Sequence, residues 1–295
     1  MYSVTTDKSG TGAVWLTHDK KDHLFNTIDL LHANFVPRGA CLTGAEANDK
    51  FGHSVVPAGD FNGDGLADFF IGAPFARFVA AGADRAFAGV AYLLYGSNTV
   101  FSTLNTSTFV TGVAGVRFGT DAYNQLGSAL GGVGDVNGDG FDDVAIGAKH
   151  ASIPDRDSAS IACVNFGNAK IYTTDVDLRN FAASLLGFAV YGSSPLVNLH
   201  PVAPAGDING DGVDDLLVGY RSAVHILHGQ VAPRTTNVDT LTDNVVTFDY
   251  PIGPFFVSSF DGGKDLNGDS VPDLLLGSTS VSATEGPGSP NSGGV

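Results

Sequence analysis

An all-β fold built from repeated four-stranded antiparallel units is predicted by three features of the sequence. A nine-residue phrase occurs four times, as DFNGDGLAD at Asp60–Asp68, DVNGDGFDD at Asp135–Asp143, DINGDGVDD at Asp207–Asp215 and DLNGDSVPD at Asp265–Asp273. Each copy is followed by a short apolar run ending in Gly, and such runs read as buried strands. Helical periodicity is scarce: FNTIDLLHANF (Phe25–Phe35) is the single candidate, and it is assigned to an irregular link between strands.

The phrases begin at residues 60, 135, 207 and 265, so the intervals are 75, 72 and 58 residues. A period of this size marks a propeller, solenoid or array. The chain opens on GAVWLTHDK (Gly12–Lys20), which matches a third strand, followed by a fourth at Pro37–Gly44. The first strand of the next unit lies in FGHSVVPAGD (Phe51–Asp60), and its counterparts are Leu126–Asp135, Asn198–Asp207 and Phe256–Asp265. Second strands follow the phrase as DFFIGAP, DVAIGAK, DLLVGY and DLLLGS. Third strands are GVAYLLYG (Gly89–Gly96), SIACVNFG (Ser160–Gly167) and SAVHILHG (Ser222–Gly229), and a less regular fourth stretch follows, such as Ser107–Gly115. Four short antiparallel strands per unit make one blade of a β-propeller. The count is three whole blades plus two half blades over residues 1–280, with a Gly/Ser/Pro-rich tail at 281–295 expected to be disordered.

The repeated phrase carries the chemistry. Oxygen-bearing side chains stand at its positions 1, 3, 5 and 9, and Ca²⁺ takes six to eight oxygens from carboxylates, amides, backbone carbonyls and water. The expected ligands are Asp60, Asn62, Asp64 and Asp68; Asp135, Asn137, Asp139 and Asp143; Asp207, Asn209, Asp211 and Asp215; and Asp265, Asn267, Asp269 and Asp273. Position 7 is apolar (Leu66, Phe141, Val213, Val271) and has only its backbone carbonyl to offer. Gly at position 6 permits the sharp turn, and Ser270 replaces it in the fourth copy. An EF-hand is excluded, because it needs Glu at position 12 between helices, whereas position 12 here is Ile71, Ile146, Val218 and Leu276. A bare Asp/Asn/Gly turn is the plain alternative. Four copies in register, each with three carboxylates that repel one another without a cation, favour up to four structural Ca²⁺ ions.

Composition narrows the function. The net charge of −16 comes largely from these aspartates, and it argues against a nucleic-acid partner. Cys41 and Cys163 fall in different repeats, so the count excludes a disulfide framework and two buried thiols are expected. No run approaches the roughly 20 apolar residues of a membrane span. The first residues, MYSVTTDKSGTG, lack a signal-peptide core, and one glycosylation sequon stands at Asn105-Thr106-Ser107. No Gly-x-Ser-x-Gly elbow, His-Glu-x-x-His or phosphate loop is present, so no enzyme activity is expected.

Phe51-Gly52 and Ile71-Gly72-Ala73-Pro74 around DFNGDGLAD resemble the FG-GAP repeat of integrin α-subunit β-propellers. The resemblance spans about residues 11 to 280, and its naming residues weaken in later copies, to Leu126-Gly127, Asn198-Leu199 and Phe256-Val257. It implies a ring of blades with Ca²⁺ in the hairpin between strands one and two, and an extracellular or cell-surface setting. Such rings usually hold more blades than this chain supplies. Three arrangements follow: a fragment of a longer propeller, two half blades that interlock into a closed four-blade ring, or completion by another chain. The expected role is adhesion or ligand recognition, with an accessory or carbohydrate-binding propeller of an extracellular enzyme as the alternative. A protein or glycan ligand is expected on the loop face opposite the calcium hairpins. The longest turn there, Pro74–Gly89, offers Phe75, Phe78, Phe87, Arg77 and Arg85, with packing of these phenylalanines onto their own blade as the plain alternative.

Overall fold

The computed structural model describes residues 10–17, 39–80, 82–98, 104–150, 161–169, 172–179, 186–191, 199–220, 223–231, 236–237, 245–249 and 257–278. The candidate link Phe25–Phe35 and the tail 281–295 lie outside the described residues. In chain order, β1 (Ala13–Thr17) and β2 (Gly39–Thr43) form the opening half blade. The first whole blade starts with β3 (Ser54–Gly59) and β4 (Asp68–Ala73), and carries the small hairpin of β5 (Phe78–Ala80) and β6 (Ala83–Arg85) in its long turn. It continues through β7 (Val90–Leu94), β8 (Leu104–Asn105) and β9 (Gly115–Gly119). The second blade holds β10 (Leu126–Gly134), β11 (Asp143–Ala148), β12 (Ile161–Asn165), β13 (Val176–Asp177) and β14 (Gly187–Tyr191). The third holds β15 (Leu199–Gly206), β16 (Asp215–Tyr220), β17 (Ala223–Leu227), β18 (Thr236–Asn237) and β19 (Val245–Asp249). β20 (Val257–Lys264) and β21 (Asp273–Ser278) form the last half blade.

Each whole blade is an antiparallel run of four strands: β3-β4-β7-β9, β10-β11-β12-β14 and β15-β16-β17-β19. Their registers coincide. Phe69 faces Leu94, Val144 faces Asn165 and Leu216 faces Leu227 at the same repeat position. The middle strands are mainly apolar because neighbouring blades cover both their faces; the exceptions are the Asp that opens each second strand, with Asn165 and His225 in third strands. The core is accordingly a set of layers between blades. Leu42 meets Ile71, Val90 and Tyr92; Phe70 and Phe118 meet Leu130 and Ile146; Val133 and Val164 meet Val202 and Val218; Leu217 and Ile226 meet Phe260. Cys163 is buried in the second of these layers, Cys41 is half-buried, and both are free thiols, as the sequence predicts.

Two features differ from expectation. The fourth strand of the first blade is Gly115–Gly119, while Thr106–Thr108 forms a 3₁₀ turn and Thr111 closes back on Gly115. The Asn105 side chain explains the early turn, since it accepts the Ser107 N–H at 2.9 Å and diverts the chain from the ladder. The second feature is a fifth strand on the blades. The two-residue strands β8, β13 and β18 each lie parallel to the outer strand of the preceding unit, on β2, β9 and β14. Each covers an edge that would otherwise expose unpaired backbone groups.

The ring is not closed by its half blades. Among the described residues β21 pairs with β20, and β1 with β2, without a ladder between the two sheets. The interlocked four-blade closure is therefore not formed.

Candidate metal centres and the opposite loop face

The four loops fold alike because their side chains bind their own backbone. In the first loop the Asp60 carboxylate accepts the N–H groups of Asp64 (3.0 Å) and Gly65 (2.8 Å). Asn62 Oδ1 accepts the Asp64 N–H at 2.9 Å, while its amide donates to Asp64 Oδ2 at 3.1 Å. Asp64 Oδ1 accepts the Leu66 N–H at 2.9 Å. The same bonds recur from Asp135, Asn137 and Asp139, from Asp207, Asn209 and Asp211, and from Asp265, Asn267 and Asp269. Left-handed backbone at positions 4 and 6 makes this possible. Gly63 and Gly65 have φ of 71° and 84°, and Ser270 is forced to 70° where the other loops have Gly.

Position 9 behaves differently. Asp68, Asp143 and Asp215 are 2%, 0% and 0% exposed. Each accepts the N–H of position 2 with one oxygen, at 3.1, 3.0 and 3.1 Å. With the other it accepts the N–H of the glycine after strand three, Gly96, Gly167 or Gly229, at 2.7, 2.8 and 2.9 Å. Asp273 lacks that second backbone donor and takes the Asn267 amide at 3.3 Å instead.

The donor set suits a hard cation. It is all oxygen, and a carboxylate oxygen that accepts one N–H keeps a further lone pair for a metal. The loops are also short of positive charge. Burial pushes the Asp68 carboxyl up to about 6 and that of Asp143 to about 8. The neighbouring loop carboxylates push the same way, against the hydrogen bonds from the backbone. As folded, the carboxylates rest on backbone amides, and among the described residues no three His, Cys, Asp or Glu side chains converge as a metal-ligand group.

Position 8 was not singled out from the sequence, yet it joins the loops across blades. Asp142 Oδ2 accepts the Asp60 N–H at 2.7 Å, and Asp214 Oδ2 accepts the Asp135 N–H at 3.0 Å. These carboxylates occupy the space of a side chain at Gly59 and Gly134, which is why Gly precedes both loops. Pro272 takes the equivalent place beside Gly206 and offers no acceptor. The signal was legible as Asp at position 8 of copies two and three preceded by Gly in copies one and two.

On the opposite face the long turn of the first blade splits its residues between core and surface. Phe78 and Arg85 are 1% and 5% exposed, and Arg85 donates to Thr120 O at 3.0 Å and to Asp177 at 2.7 Å. These two hold the turn on its blade and are not available to a ligand. Arg77 pairs with Asp84 at 3.0 Å on the surface. Phe75 and Phe87 line a cleft of about 420 Å³ with Tyr123, Asn124, Gln125 and His150. The last four come from the neighbouring blade's turns and escaped sequence reading, because no periodicity links residues so far apart in the chain. The sequon amide of Asn105 donates to Thr43 Oγ1 at 3.0 Å and to Gly44 O at 3.2 Å, so the nitrogen a glycan would occupy is engaged.

The FG-GAP repeat family matches residues 51–94 and 126–161, which lie within the first and second whole blades and hold their inner strands. Human integrin alpha-IIb is 29% identical over 185 residues, covering 62% of this chain and 16% of that protein. Drosophila melanogaster integrin alpha-PS2 is 26% identical over 292 residues, covering 92% of this chain and 18% of that protein. Bovine phosphatidylinositol-glycan-specific phospholipase D is 29% identical over 167 residues, covering 53% of this chain and 19% of the enzyme. The chain thus spans less than a fifth of the length of these relatives. With its repeated blades and loops, the chain carries FG-GAP repeats and is similar to integrin α subunits.

Proposed function

We propose that the chain is a calcium-binding β-propeller module for adhesion or ligand recognition, acting outside the cell or at its surface, without catalysis of its own. The observation that carries this reading is the fourfold recurrence of one all-oxygen loop, in which Asp68 and Asp143 are buried with no cationic partner among the described residues. Calcium would be held by positions 1, 3, 5 and 9 and the carbonyl of position 7. It would relieve the repulsion among three carboxylates and pin each inner hairpin. The ligand, protein or glycan, would meet the face of the long turns.

A thermal melt in millimolar calcium and in excess chelator tests the metal. Extracellular calcium modules bind at about 10⁻⁴ to 10⁻³ M. At millimolar calcium such a site stabilises by about 0.4–1.4 kcal/mol. Asp60→Ala, Asp135→Ala and Asp207→Ala should each lower the melting temperature more in calcium than in chelator, where only the loop's own backbone bonds are lost. Identical melts of wild type and variants in calcium would sink the proposal.

The phospholipase D match favours a second reading, an accessory propeller of an extracellular enzyme. Among the described residues no helix is long and apolar enough to cross a membrane. Co-purification with a separate hydrolase would support the accessory role, and adhesion of cells to the immobilised module would support the first.

A further inference from the structure

Phe87 and Tyr123 stack with ring centres 5.9 Å apart and planes 28° apart, at the mouth of the cleft between the first and second blades. They remain 46% and 66% exposed, so burial does not hold them there. Both have left-handed backbone, with φ of 53° and 67°. That conformation is unfavourable for an aromatic residue and clusters at functional sites. The preceding repeat shows the relaxed version of the same turn. It has Asn48 at φ 67° where the second has Tyr123, and Lys50 at φ 52° where the second has Gln125. Asn is among the residues that best tolerate this region. A tyrosine in its place accepts that strain while staying largely exposed, stacked on a Phe87 ring that is itself half-exposed.

The platform is firmly held. The Tyr123 N–H donates to Ala86 O at 3.1 Å, and the Leu126 N–H donates to Ala88 O at 2.9 Å. Among the described residues the cleft's accessible polar groups are the Gln125 amide and the His150 imidazole, Asn124 being buried beneath them, and no carboxylate or guanidinium lines it. A cationic ligand finds no counter-charge, and Lys50 Nζ already lies 4.9 Å above the Phe75 ring. A polyanion is opposed by the net charge of −16. An aromatic plane rimmed by groups that both donate and accept hydrogen bonds matches a sugar ring, which has an apolar C–H face and a hydroxyl edge.

We propose that this cleft binds a neutral saccharide, with one pyranose ring laid on the Tyr123–Phe87 platform and its hydroxyls bonded to Gln125 and His150. The assignment rests on reading this face as the recognition surface. Saturation-transfer NMR on the full chain in millimolar calcium tests it. The probes are methyl glycosides of glucose, galactose and mannose, N-acetylglucosamine and neutral oligomers of each. At least one should give saturable transfer. Affinity should fall about tenfold in Tyr123→Ala, the scale of one lost aromatic contact, and persist in Tyr123→Phe. Tyr123→Asn should lose the sugar equally while melting no lower than wild type, which separates binding from folding. No transfer from any probe, or transfer indifferent to Tyr123→Ala, overturns the saccharide. A peptide ligand lost on Tyr123→Ala, with no sugar signal, overturns it too but leaves the recognition face standing.

Discussion

Asp143 is the residue at which the loop's conflict is sharpest. Burial, followed by repulsion from Asp139 and Asp135, holds its pKa near 8 against the bonds from Gly167 and Val136, far above the ordinary 3.8. Between about pH 4 and about pH 8 the metal-free folded chain therefore keeps a proton that the unfolded chain has released. That contribution to stability is full at the acid end and is lost as pH rises toward 8. Asp68 repeats the effect up to about pH 6. Calcium needs the ionised carboxylate, so binding should displace the proton and flatten the slope. Melts in chelator at pH 5 and pH 8 should thus differ, and Asp143→Asn should reduce the difference. An unchanged slope in that variant would dismiss Asp143 as its source. Ser270 gives a second prediction at this scale. Its φ of 70° is a glycine conformation, and a Cβ on the equivalent Gly65 or Gly140 would meet no neighbour. Ser270→Gly should therefore stabilise the fourth hairpin by about 0.5–1 kcal/mol through backbone strain alone, read from urea unfolding.

Among elements, the parallel strands β8, β13 and β18 show where sequence reading stops. The four inner hairpins were legible, because Asp-x-Asn-x-Asp-Gly followed by an apolar run has a local physical meaning at every residue. Third strands were legible for the same reason. Two-residue strands carry no periodicity, and their partner strands lie in the preceding blade, so Val176 opposite Phe118 could not be read from spacing. The same limit hid Tyr123 and His150 from the cleft and left open whether Phe78 and Arg85 face a ligand or their own blade; the structure gives the blade. In the structure Arg85 ties the long turn to Asp177, the last residue of β13. Burial alone would raise the Asp177 pKa, but hydrogen bonds from Arg85 and Arg179 outweigh it and hold it at about 2. This contribution is present above about pH 4 and is lost only as pH falls through about 2. Asp177→Asn should leave the Arg85 guanidinium, 6% exposed, without its counter-charge. A loss of about 2–3 kcal/mol is expected in denaturant unfolding at neutral pH. A loss no greater than that of Asp84→Asn, which breaks the exposed pair with Arg77, would show that β13 does not bind the blades together.

At the scale of the whole molecule, the loops report whether the ring is open. Phe61 and Val136 fill position 2 of the first two loops and are completely buried. The next blade covers them, with Asn168 N–H donating to Phe61 O at 2.9 Å and Gln230 N–H to Val136 O at 3.0 Å. Leu266 holds the same position in the fourth loop and is 63% exposed, alongside Val271 at 47% and Leu275 at 48%. The repeat register shows what a completed blade would look like. The ladders of the whole blades place the first residue of strand three opposite the last of strand two, which would set Ala13 against Ser278 and Thr17 against Leu274. Two substitutions then distinguish an open chain from a closed one. Phe61→Ala should cost about 3–5 kcal/mol wherever the chain is folded, since it empties a filled layer. Leu266→Ala should cost under about 0.5 kcal/mol while the fourth loop faces water. If Leu266→Ala instead costs several kcal/mol, and does so only at high protein concentration, a second copy must cover the loop. A large cost independent of concentration would mean that the chain's own half blades meet in solution.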